Sequence, residues 1–146
     1  MKIILSPDNL RAIEAHGEST YPNEGAGFLL GRAEGDILRI EGLLPVINKW
    51  EAGEQYHRYV LTPEDYQRAE LEAMKREADV VGVFHSHPDH PAEPSVWDRD
   101  WAVPNMSYFI SSIVKGRASD TFSWRLREDH AGFDSEPIEV LKQEAS

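Results

Sequence analysis

The stretch from Val81 to Asp100, VGVFHSHPDHPAEPSVWDRD, constrains this chain more than any other. It opens on an almost wholly apolar run, Val80 to Phe84, short enough for a central strand buried on both faces. That strand delivers His85 and His87 at its exit. Side chains two apart on a strand point to the same face, so the two imidazoles stand side by side while Ser86 faces away. Pro88 to Pro94 reads as an extended loop that turns the chain back. Ser95 has the chemistry of an N-cap for a short helix reaching Trp101. Asp98, three residues on, shares a helical face with Ser95.

Two histidines on one rigid element and a carboxylate on another form a ligand set. The chain has no cysteine, so a disulfide framework is excluded and any metal is held by nitrogen and oxygen. Two neutral histidines and one carboxylate leave a tetrahedral zinc one open position, the pattern of a catalytic site. We therefore expect one Zn2+ per chain, held by His85, His87 and Asp98, with a catalytic water whose pKa the metal lowers towards roughly 7. Attack on an amide carbonyl also requires a base that takes a proton and passes it to the leaving nitrogen. Glu24, at the entrance of a strand expected over Glu24 to Gly31, is the candidate.

The rest of the chain supplies a frame for this site. Its 146 residues, 40% of them hydrophobic, suit a single domain spanning 1–146. A net charge of −11 argues against nucleic acid or an anionic membrane as the principal partner. The apolar run near the N-terminus is too short for a signal peptide and no run spans a bilayer, so a cytoplasmic location is expected. Lys2 to Leu5 reads as a strand, and Ser6-Pro7 starts a helix with an apolar stripe at Leu10, Ala12 and Ile13 that Gly17 weakens or ends. Ile37 to Ile47 is a strand hairpinned through Gly35-Asp36 onto its predecessor. Lys49 to Gln55 is a surface loop and Tyr56 to Leu61 a strand. Thr62-Pro63-Glu64-Asp65 caps a helix that runs to Glu77. Ser107 to Val114 and Ser119 to Arg127 form a hairpin, and Pro137 to Leu141 an edge strand.

Pro22-Asn23-Glu24-Gly25-Ala26-Gly27-Phe28-Leu29-Leu30-Gly31, His85-Ser86-His87-Pro88 and Ser95-x-x-Asp98 together resemble the JAMM (MPN+) zinc metalloprotease family in its compact prokaryotic type. The resemblance implies a cytidine-deaminase-like α/β fold, a mixed β-sheet flanked by helices. It implies hydrolysis of an isopeptide or peptide bond after the C-terminal glycine of ubiquitin or a ubiquitin-like protein. It also implies that His85, His87 and Asp98 are the zinc ligands, that Glu24 lies beside the metal as general base, and that Ser95 supplies the hydroxyl that stabilises the oxyanion. The short segments Lys49–Gln55 and Arg99–Ser107 lack the long insertions of the larger deubiquitinases. Compact relatives act on ThiS- or MoaD-like sulfur-carrier proteins or reverse ubiquitin-like modification, and either is the expected class of partner. Ala26 stands where many relatives carry Cys.

Alternatives remain on this evidence. A non-catalytic MPN-type scaffold would dispense with the ligand set, and a RadC-like protein typically reads HNHPSG where this chain has HSHPDH. A zinc nucleobase deaminase is disfavoured, because there is no P-C-x-x-C element. A homodimer is compatible with everything above. Asp89, His90 and Glu93 are expected to be solvated loop residues and His16 to lie on a helix surface, while His57 and His130 have no motif support. Trp50, Trp97, Trp101 and Trp124 suit core or edge packing, and Trp50, in a polar loop, is also a candidate substrate contact.

Overall fold

The uninterrupted apolar run of β4 (Asp79–Pro88) places it inside a sheet with neighbours on both sides, as seen in the computed structural model, which describes residues 1–142. Its partners are β2 (Ala26–Glu34), antiparallel, and β5 (Ser107–Val114), parallel. The whole sheet is mixed and eight-stranded, ordered β7-β6-β5-β4-β2-β3-β1-β8. The outer members are β1 (Lys2–Leu5), β3 (Ile37–Val46), β6 (Arg117–Leu126), β7 (Phe133–Glu136) and β8 (Ile138–Val140). Only Pro137 separates β7 from β8, although they occupy opposite ends of the order. The sheet therefore curls until its two ends meet, wrapped around α1 (Pro7–Thr20), which packs on β3, β4, β5 and β6.

Alternation along the strands divides the interior into two layers. Leu29, Val81 and Phe84 join Ile13 of α1 on one face, with Ile3, Leu5, Leu38, Ile40 and Phe109. Phe28 and Val83 face the other way, towards Ala69 of α2 (Pro63–Lys75), with Val46 and Tyr108. Helix α2 starts on a capping box in which Thr62 Oγ1 accepts the Asp65 N–H and the Asp65 carboxylate accepts the Thr62 N–H.

Three expectations need correction, and one strand was not anticipated. Gly17 does not end α1: it sits buried within it, where a Cβ would come 2.9 Å from Cβ of Ser86 and 3.0 Å from Ile113. The missing side chain lets the helix lie against the strand that carries the histidines, and this outweighs glycine's poor helix propensity. Helix α2 stops at Lys75, two residues short of Glu77. Tyr56 to Leu61 is not a strand of the sheet. Tyr59 and Leu61 pack on the second core layer as strand residues would, but both flanks of β4 and of β2 are already occupied, so among the described residues no strand pairs with the segment. Finally, β7, with the polar sequence FDSE, carried no strand signal and forms because β6 offers it an edge.

Candidate metal centre

The site is assembled where β2 enters the sheet and β4 leaves it. Ala26 is the register partner of His85, so the residues before β2 run alongside those at the end of β4. Ser86, between the histidines, secures this junction from the opposite face: its N–H donates to the Gly25 carbonyl at 3.0 Å and its hydroxyl accepts the Gly25 N–H at 2.8 Å. Glu24 therefore stands next to His87, and its Oε1 lies 3.8 Å from His87 Nε2. The third piece comes from α3 (Val96–Trp101), whose N-cap is Ser95. Ser95 Oγ accepts the Asp98 N–H at 3.1 Å and Asp98 Oδ2 accepts the Ser95 N–H at 2.9 Å, a capping box that locks the Asp98 carboxylate in one direction.

That direction is towards the imidazoles. His85 Nε2 is 3.1 Å from Asp98 Oδ1, His87 Nε2 is 3.0 Å from Asp98 Oδ2, and the two Nε2 atoms are 3.2 Å apart. His87 Nδ1 is 2.8 Å from the carbonyl of Pro91, which can only accept, so Nδ1 carries a proton and Nε2 is the atom left to take a metal or a second proton. His85 is held differently, by stacking on Tyr59 with ring centroids 4.7 Å apart. Three electron-rich atoms thus converge in a buried place, an arrangement that demands a cation or a proton. Tetrahedral zinc with bonds of about 2.0–2.1 Å would set its ligand atoms ~3.3 Å apart, close to the observed spacing. Glu24, His85 and His87 likewise offer atoms all within 4.8 Å of one another. Asp98 approaches the imidazoles more closely than Glu24 does, so Asp98 fits the inner position and Glu24 the outer one.

Burial and charge set the protonation preferences of these groups. Burial pushes the Glu24 carboxyl up to about 8, with nearby His87 pulling down and Asp98 adding to the rise. Burial would also raise Asp98, yet the two imidazoles outweigh it and hold Asp98 far below the usual carboxylate range. Burial lowers His85.

The centre opens on a cleft of about 480 Å³ lined by Glu24, Tyr56, His57, Arg58, His87, His90, Ser95 and Trp97, among others. All five residues expected at the site, Glu24, His85, His87, Ser95 and Asp98, are therefore brought to one place. His90 and Glu93, exposed as expected, also line the cleft. Asp89 is tied down by the Tyr21 hydroxyl at 2.5 Å and the Lys115 N–H at 2.8 Å. His16 is not on the helix surface: half-buried, it meets Phe84 edge-on at 5.7 Å. Trp50 packs against Trp97 at 5.0 Å, and the Arg58 guanidinium lies 4.7 Å above the Trp97 ring. Tyr59 and Arg58 escaped the sequence reading, because nothing in their local pattern tells that they meet His85 and α3.

Known proteins share this architecture. A solution structure of a Desulfitobacterium hafniense protein superposes with a TM-score of 0.83 at 29% identity, covering 97% of this chain and 94% of that one. A Salinibacter ruber protein, also solved in solution, reaches a TM-score of 0.75 at 39% identity over 100% of this chain and 95% of that one. Among curated proteins, the tail tip assembly protein K of Escherichia phage N15 is 36% identical over 89 residues. That match takes in 60% of this chain but spans only 31% of the phage protein. The family described as prokaryotic homologs of the JAB domain matches residues 6–127, which include every residue of the centre, and the chain belongs to that family.

Proposed function

We propose that the chain is a zinc-dependent isopeptidase or peptidase that hydrolyses the bond after the C-terminal glycine of a ubiquitin-like or sulfur-carrier protein. One observation carries the proposal: Glu24, the two histidines and Asp98, from three separate stretches, converge at the mouth of an open cleft. A non-catalytic scaffold has no use for a buried carboxylate just outside a complete ligand set. His85, His87 and Asp98 would hold the zinc, which when bound supplies Lewis acidity towards a carbonyl oxygen and towards water.

The chain's own groups do the rest. Glu24, in its ionised form, accepts the proton of the attacking water and returns it to the leaving nitrogen. The Ser95 hydroxyl accepts the Asp98 N–H, which leaves its own hydrogen for a developing oxyanion at the cleft. Tyr59 to Leu61 follows directly on Tyr56 to Arg58, which line the cleft, and its backbone has no partner among the described residues. Those free N–H and C=O groups suit an extended glycine tail laid alongside as an added strand.

The test uses Glu24→Gln and a sulfur-carrier protein fused through its Gly-Gly terminus to a short peptide. The variant is expected to keep stoichiometric zinc and to lose cleavage by ~10²-fold or more. Full turnover by Glu24→Gln would sink the assignment.

A further inference from the structure

Glu24 precedes β2, so no sheet ladder holds its backbone. Its carboxylate is not held by hydrogen bonds either: Oε2 is buried without a partner among the described residues, and Oε1 is 3.8 Å from the nearest imidazole nitrogen. The place of this side chain is accordingly set by whatever fixes the main chain of residue 24.

The loop after β3 does so. Asn48 Nδ2 donates to the Glu24 carbonyl at 3.2 Å and to the Arg58 carbonyl at 2.9 Å, and its Oδ1 accepts the Trp50 N–H at 3.0 Å. Both donors and the acceptor of one carboxamide are thus engaged with three separate points of the backbone. On the other side of residue 24, the Glu24 N–H donates to the Gln55 carbonyl at 2.7 Å. Gln55 Nε2 in turn donates to the carbonyls of Asn48 at 3.1 Å and Trp50 at 2.6 Å, so the loop is closed on itself. Its far end reaches α3, where Arg58 covers Trp97, the neighbour of Asp98. One asparagine therefore links the backbone of Glu24 to the segment that braces the helix carrying Asp98.

We propose that Asn48 is a positioning residue for Glu24, clasping its backbone so that the carboxylate stands just outside the ligand set. The inference rests on the reading of Glu24 as the proton carrier given above. Among the described residues, Asn48 makes no hydrogen bond to His85, His87 or Asp98, so its loss should displace the base without disturbing the metal. Misplacement of a reacting group by about 1 Å can cost ~100-fold in rate.

Asn48→Asp keeps the shape and the acceptor for Trp50 but removes both donors and sets a carboxylate against two carbonyls. With the Gly-Gly peptide fusion as probe, its kcat should fall at least ~10-fold while KM stays within about twofold. Zinc affinity, titrated against a chromophoric chelator, should stay within about threefold of wild type, since only outer-shell partners of the ligands themselves cost 10–100-fold. In a crystal structure of the zinc-loaded variant, the Glu24 carboxylate should move by about 1 Å or more from its wild-type place. An unchanged kcat, an unmoved carboxylate or a large loss of zinc affinity would each overturn the proposal. If the wild type leaves the fusion uncut, the proposed function falls, and the position of the carboxylate in the variant alone decides the role of Asn48. Should Asn48→Asp not fold, Asn48→Ser, which keeps one donor, is read by the same three measurements and should show a smaller loss in the same direction.

Discussion

Asp98 Oδ2 and Glu24 Oε1 approach the same atom, His87 Nε2, at 3.0 and 3.8 Å. Two carboxylates around one imidazole thus hold unequal places. Asp98 is locked by its capping box and kept ionised by both histidines, whereas Glu24 is buried and driven towards its neutral form. On the proposed function, this inequality assigns metal binding to Asp98 and proton transfer to Glu24.

Asp98→Asn should therefore weaken zinc by at least ~100-fold, more than the 10–100-fold cost of losing an outer-shell partner. The helix should survive, because the asparagine oxygen can still accept the Ser95 N–H. Glu24→Gln in the same chelator competition should bind zinc like the wild type. Equal affinity of Asp98→Asn and wild type would remove Asp98 from the ligand set.

Ser95 has two roles that two substitutions pull apart. Ser95→Ala loses the cap of α3, about 1 kcal/mol, whereas Ser95→Gly loses only a few tenths. Both lose the hydroxyl and should lower kcat by ~10²–10³-fold. Urea midpoints and kcat measured side by side check this: an activity loss that tracked stability instead of the hydroxyl would reduce Ser95 to a cap.

Asp65 predicts an acid-side loss of stability. Burial would raise its carboxyl, but Lys49 Nζ at 2.7 and 3.0 Å and the hydrogen bonds with Thr62 outweigh this and leave it below its ordinary 3.8. The unfolded chain then binds the proton more readily than the folded one, so stability rises with pH in this range. The contribution is complete above about 3.8 and is lost as pH falls through the lower folded value. Asp65→Asn should flatten the dependence of the urea midpoint below about pH 4, and parallel curves for the two proteins would exclude this assignment.

Gly17→Val tests the close approach of α1 to the histidine strand. A Cβ alone would stand 2.9 Å from Ser86 and 3.0 Å from Ile113, so the larger side chain should destabilise by roughly 1–3 kcal/mol, seen as a lower denaturant midpoint. An unshifted midpoint would show that the helix gives way freely.

The residues of the centre were legible because their geometry is local. His85 and His87 share a face through the two-residue period of a strand, and Ser95 and Asp98 meet through the first turn of a helix, whatever the surroundings. The caps of all three helices, at Ser6, Thr62 and Ser95, are local in the same way. Tyr56 to Leu61 shows where this stops: alternation along a segment decides which side chains are buried, but a strand also needs a neighbour's backbone, and here every adjacent place is taken. Gly17 shows it again, since what keeps it inside α1 is a contact with Ser86 on another element.

The amino-acid sequence by itself determined the residue types of the candidate centre, their spacing and the strand and helix that present them, because those follow from backbone periods of two and 3.6 residues. Tertiary structure decided that Glu24 lies beside His87, that the carboxamide of Asn48 holds residue 24, and that Arg58 rests on Trp97. Each depends on bringing together residues far apart in the chain through strand register and loop packing, and no local pattern carries that information.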